Sequence, residues 1–136
     1  MLGRIVACRR GAVSVEAALL MPALILLVIG AMEFGLLIFT YSAMQTATRE
    51  AARELAVNFA TAGSVAGAVR ARLPQWSQAA ATVEVSQSAP GNAAANVITV
   101  RVDMRADEAT PVRIFTRLAD EWGLRTEVVM KQELPL

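Results

Sequence analysis

The sequence holds no histidine and a single cysteine, Cys8, among its 136 residues. With no partner for Cys8, an internal disulfide framework and any cysteine-based metal site are excluded. Without histidine, the usual acid-base, triad and zinc chemistries lack their ordinary carrier. Charge is also missing where it is most expected, since no Asp, Glu, Lys or Arg falls between Ala17 and Met32. No acid precedes that run except Glu16, while Arg4, Arg9 and Arg10 do. No A-x-A site follows the apolar stretch, so it does not read as a secretory signal that is cut away behind its hydrophobic part. No calcium loop is readable at Asp107-Glu108, which reads as a solvated turn. These absences leave no enzyme site and no metal or cofactor site to name.

What is present is apolar. Hydrophobic residues make up 55% of the chain and mean hydropathy is +0.45, too high for an ordinary soluble domain of this size. If Glu33 is tolerated, the apolar stretch extends to Tyr41, and a helix over 12–41 is long enough to cross a hydrocarbon core of about 30 Å with some tilt. The arginines before it place the N-terminus in the cytoplasm and the remainder on the far side. The expected organisation is a cytoplasmic leader over 1–11, a transmembrane helix over 12–41 and an extracytoplasmic head over 42–136. The string around Cys8, "IVAC", looks superficially like a lipoprotein box but lies ahead of the hydrophobic stretch rather than behind it.

Beyond the span the helical pattern continues. Met44, Ala47, Ala51, Leu55 and Phe59 recur at spacings of three and four and form one apolar stripe, with Arg49, Glu50, Arg53 and Glu54 on other faces. The stripe reads as a bed for the chain's own head, and the helix as a continuous rod from about Ala12 to Ala60. In the head, Ser64 is expected to cap a short helix whose Val65, Ala68, Val69 and Leu73 share a face and which Pro74 closes. "ATVEVSQ" alternates, and "NVITVRVDMR" resumes the alternation with Ile98, Val100, Val102 and Met104 inward. The Pro-Gly-Asn chemistry between them predicts a hairpin with a long connection. Thr110 as N-cap, Pro111 at the first helical position and Gly123 past the end predict a helix burying Phe115, Leu118, Ala119 and Trp122, with Arg117 and Glu121 paired on its outer face. "LRTEVVMKQ" predicts a last strand with Leu124, Thr126, Val128 and Met130 on one face. The fold class is α+β, a long N-terminal helix packed on a small sheet of about three strands with short helices.

Glu16 stands just inside the apolar run, where insertion of a lone carboxylate costs about 2.5–3.5 kcal/mol. The string Gly11-Ala12-Val13-Ser14-Val15-Glu16 puts this acid at the fifth residue after a glycine and resembles a type IV prepilin processing site. A longer resemblance includes it. Val15, Glu16, Ala18, Leu19 and Pro22, then Glu33, Phe34 and Gly35, then Ala47, Arg49, Glu50, Ala52 and Arg53 follow the order of motifs in the TadE-like family of the tight-adherence (Flp type IVb pilus) system. Ala51 stands where that family often has glycine. The resemblance covers about a third of the chain.

The resemblance implies a prepilin peptidase cut between Gly11 and Ala12, on the cytoplasmic side. It implies a minor pilin or pseudopilin of the bacterial inner membrane that acts in initiating, tipping or bracing a thin pilus. Its partners would be other pilins and the assembly platform. Glu16 would then set subunit register by pairing with the freed Ala12 amine of a neighbour; an interfacial glutamate snorkelling to headgroups is the plainer alternative. Pro22 allows a helix kink. Glu33 is expected at the outer membrane interface, with a span of only Ala12 to Met32, or else paired within an assembly. Ala31 and Gly35 offer a small-xxx-small contact. Cleavage would remove three arginines and leave ten basic against twelve acidic side chains, so no basic signature for nucleic acid remains. A second reading is an unprocessed single-pass envelope protein whose head binds a partner or ligand. The N-terminus separates the two.

Overall fold

The computed structural model describes residues 9–118 and 121–134, with side chains from residue 14 onward. Most of the expected leader, Cys8 included, and Ala119 of the expected stripe lie outside the described residues. The chain divides into two compact units, Met1–Met32 and Glu33–Leu136. The elements are a helix α1 (Arg9–Ala56), a helix α2 (Ala62–Arg72) and three strands, β1 (Thr82–Gln87), β2 (Val97–Arg105) and β3 (Gly123–Lys131). Short 3-10 turns cover Ala106–Glu108 and Thr116–Leu118. The expected α+β class and the three-stranded sheet are observed.

Helix α1 runs for 48 residues and contains Pro22. A proline there removes one backbone donor but need not end a helix in an apolar setting. The first unit is the apolar part of α1, with Glu16 and Leu19 to Val28 all exposed. In the second unit the rest of α1 lays Leu37, Met44, Ala47, Ala51 and Leu55 into the core. Its end is set by Asn58, whose φ is +60°. The Phe59 N–H donates to the Glu54 carbonyl at 2.8 Å and the Asn58 N–H to Leu55 at 3.2 Å, the paired bonds of a Schellman ending with asparagine in the left-handed position. This turn takes Phe59 off the helical face. The expected extension of the stripe to Phe59 is therefore corrected, since Phe59 is 83% exposed.

Helix α2 buries Val65 and Val69 and ends at Leu73. Its N-cap is Thr61 rather than the expected Ser64. Ser64 sits three residues inside and accepts the Thr61 N–H on Oγ at 3.2 Å, the returning half of a capping box. Arg72 in its last turn bridges to α1, with Nε 3.2 Å from Glu50 and Nη2 hydrogen-bonded to Glu54.

The sheet has the order β1-β2-β3, antiparallel throughout. Strand β2 is central, and its Ile98, Val100 and Val102 are fully buried with Met104 nearly so. Register sets Val83 and Thr126 beside Val102, and Val85 and Val128 beside Val100. That single face joins the α1 and α2 side chains in one core. The opposite face is charged, and Arg101 lies 2.8 Å from Glu127 across the ladder. The long β1–β2 connection needs a positive φ at Gly91 (+96°). It is held by buried Asn96, which accepts the Ala89 N–H at 2.9 Å and donates to Gln132 at 2.8 Å.

The helix expected from Thr110 to Trp122 is absent among the described residues. The segment is irregular apart from the Thr116–Leu118 turn, and Phe115, Leu118 and Trp122 are exposed rather than buried. Among the described residues no α-helical face carries Arg117 and Glu121 together as expected. The physical reason lies in α1.

Candidate functional site

Three amides that a helix over this segment would have needed are instead committed to Glu33. Its Oε2 accepts the N–H groups of Ile114 at 3.1 Å and Phe115 at 3.0 Å, and its Oε1 accepts the Thr116 N–H at 2.7 Å. The Glu33 side chain is 1% exposed. A buried carboxylate must be compensated, and three convergent amides supply that compensation through charge-assisted bonds. The Glu33 carboxylate is therefore paired within its own chain, where the sequence had offered either the outer membrane interface or pairing within an assembly. It anchors a segment of its own chain.

Two further polar pegs follow on the same side of α1. The Thr40 hydroxyl donates to the Ala109 carbonyl at 2.7 Å, and the Trp76 indole N–H donates to that same oxygen at 3.1 Å. One turn pair later, the Thr48 hydroxyl lies 2.7 Å from the Met44 carbonyl and 2.7 Å from the Thr126 hydroxyl on β3. Thr40, Thr48 and Ala109 are fully buried. Polar pegs at Glu33, Thr40 and Thr48 thus alternate with Leu37, Met44, Ala51 and Leu55 along one stripe. Apolar contacts supply the bulk of the burial, while the pegs fix register because each is bonded at one particular place in the head.

The segment held by Glu33 displays Ile114 (44% exposed), Phe115, Leu118 (84%) and Trp122 (64%) to the outside, with Arg113 and Arg117 exposed between them. Phe34 and Ile38 add exposed apolar surface on α1 nearby. Phe34, Ile38, Tyr41, Trp122 and Leu124 line an open groove of about 500 Å³.

The other singled-out residues fall as follows. Gly11 and Ala12 lie in α1, and Glu16 is exposed on its apolar part. Of the motif Glu33-Phe34-Gly35, only Glu33 is buried, and Gly35 has open space where a Cβ would stand. Glu50 pairs with Arg72, whereas Arg49 and Arg53 are exposed on α1. Among the described residues no cluster of three or more His, Cys, Asp or Glu forms a metal centre. Thr40, Thr48 and Thr126 were not foreseen as site residues. The signal was present, because extending the Met44–Leu55 stripe backward by three and four lands on Thr40, Leu37 and Glu33.

The class defined by this architecture is a helix long and apolar enough to cross a membrane, running on as the first element of a small α+β head. Residues 11–53 match the family model described as TadE-like protein, as the motifs suggested. The match lies entirely within α1 and takes in Gly11, Glu16, Glu33 and Arg53. It suggests a protein associated with the Tad pilus. No curated protein and no solved structure matches the chain.

Proposed function

We propose that this protein is a minor pilin or pseudopilin, a non-enzymatic subunit that takes part in assembling a Flp/Tad-type pilus. The observation that carries the reading is the TadE-like match over residues 11–53, which starts at the glycine of the processing string. The apolar helix and the α+β head agree with it. In this reading a prepilin peptidase cuts after Gly11, and the chain stays in the bacterial inner membrane with its head outside the cytoplasm. In this reading the span is Ala12 to Met32, shorter than the 12–41 expected from hydropathy, and the burial of Glu33, Leu37 and Thr40 in the head supports the shorter choice. Glu16 then lies close to the new amino terminus.

The test is the intact mass of the protein extracted from a membrane with an active prepilin peptidase. A chain beginning at Ala12 is expected, and replacement of Gly11 by a bulky residue should accumulate the longer precursor, because glycine lets the backbone approach the protease closely. A wild-type chain that keeps its first eleven residues would instead support an unprocessed envelope protein.

A further inference from the structure

The geometry points to the described residues from Arg113 to Leu118, together with Trp122, as a second membrane contact that lies in the outer headgroup layer of the bilayer that α1 crosses. This rests on the membrane-spanning reading given above. The first observation is a tether. The loop is bonded through three amides to Glu33, the residue that directly follows Met32, where the uncharged run ends. From Ala12 to Met32 at about 1.5 Å per residue the helix rises roughly 30 Å, the thickness of the hydrocarbon core. Glu33, the next residue in the chain, is the first beyond that rise, and it is the residue that holds the loop.

The second observation is composition. Ile114, Phe115, Leu118 and Trp122 have the spacing of a buried helical stripe, yet the fold spends the loop's amides on Glu33 and leaves all four exposed. Aromatic and aliphatic side chains interleaved with arginine suit an interface that is apolar on one side and phosphate-rich on the other. The same stretch of sequence carries Asp120 and Glu121, and among the described residues Arg113 and Arg117 form no salt bridge, although Arg113 is near enough to Asp107 to help hold its carboxyl below the usual range. Headgroup phosphates are their matching chemistry. A protein partner would fit the apolar side chains equally well, but nothing about the tether at Glu33 would then be used.

The test uses the full chain with Cys8→Ser and one new cysteine, at Leu118, Phe59 or Leu24, carrying an environment-sensitive fluorophore. Leu118 and Phe59 are each more than four-fifths exposed, so neither label disturbs the core. The protein is reconstituted into vesicles of phosphatidylethanolamine and phosphatidylglycerol whose acyl chains are brominated near the headgroup end. The label at Leu118 is expected to lose about half its emission relative to unbrominated vesicles, as an interfacial group would, while the label at Phe59 is unchanged. Quenching at Leu24, read in matched vesicles brominated near the ends of the acyl chains, reports the span itself. If Leu24 is quenched and Leu118 is not, the loop contact is overturned and the span stands. If Leu24 is not quenched, the span fails and the loop contact falls with it. A label at Leu118 that is shielded from water but unquenched would assign the loop to a protein partner and overturn the lipid contact. Arg113→Glu with Arg117→Glu should weaken quenching at Leu118 and leave Leu24 unaffected, and unchanged quenching at Leu118 would remove the arginines from the interaction. As an independent readout, Trp76→Phe leaves Trp122 as the sole tryptophan, and its own emission should be quenched in the same vesicles.

Discussion

Glu33 and Thr116 stand 83 positions apart in the chain, and the Glu33 carboxylate accepts the Thr116 N–H at 2.7 Å. The bond ties the first buried residue of the head to the irregular segment that precedes β3. Removal of the charge should be costly. In Glu33→Gln the amide offers one oxygen to three donors and turns its own NH₂ toward at least one of them. Charge-assisted bonds contribute about 1.5–3 kcal/mol each, so a loss of about 2–4 kcal/mol is expected. Urea unfolding of the detergent-solubilised chain measures it, and amide exchange at Ile114, Phe115 and Thr116 should quicken together. Unaltered exchange at those three amides would show that the carboxylate does not hold the loop.

The Thr48–Thr126 hydroxyl pair predicts a coupling. Thr48→Val keeps the shape of the side chain but leaves the Thr126 hydroxyl, 6% exposed, without its partner. Thr126→Val leaves Thr48 free to donate to Met44. Each single change should cost about 1–2 kcal/mol, the first more than the second, and the double variant less than their sum. Strict additivity in a double-mutant cycle would mean that the two hydroxyls do not interact.

At Asn58 the backbone, with φ of +60°, decides the outcome. Asn58→Gly keeps the left-handed conformation while losing side-chain bonds to Glu133 and Gln132 near the surface, so stability should change little. Asn58→Ala loses the same bonds and adds about 1–2 kcal/mol of strain. The difference between the two variants isolates the conformational cost, and equal stabilities would contradict the Schellman ending.

The strand faces were legible because a period of two is a local property. Ile98, Val100, Val102 and Met104 point inward as their alternation requires, and the partners chosen by register were already on the matching faces of β1 and β3. The α1 stripe from Met44 to Leu55 was legible for the same reason. The 110–122 segment was misread because its punctuation, Thr110, Pro111 and Gly123, is also local, while the competitor for its amides lies some eighty positions earlier in α1. The partners of Glu33 were not legible for the converse reason. A carboxylate at the end of an apolar run shows nothing of the distant amides that cover it. Phe59 failed by one turn, since a single left-handed residue ends the helical geometry on which the stripe depends.

Glu16 carries the last prediction. In the proposed subunit it is an exposed carboxylate on the apolar part of α1, where an unpaired charge costs about 2.5–3.5 kcal/mol in lipid. The amine freed at Ala12 of a neighbouring subunit can offset that cost only when the two helices stand in one stagger. Glu16→Gln should leave insertion and cleavage intact, because an uncharged side chain enters lipid more readily. Assembly should fail, since the neighbouring amine would be left as an unpaired charge at a cost of several kcal/mol, roughly two or more orders of magnitude in association. Cysteines placed in turn from Val13 to Leu20 report subunit contacts by crosslinking, and surface pili are counted alongside. Lost contacts and lost pili at normal levels of processed protein are the expected result. Unchanged crosslinks with normal pili would return Glu16 to the plainer role of an acid at the headgroups.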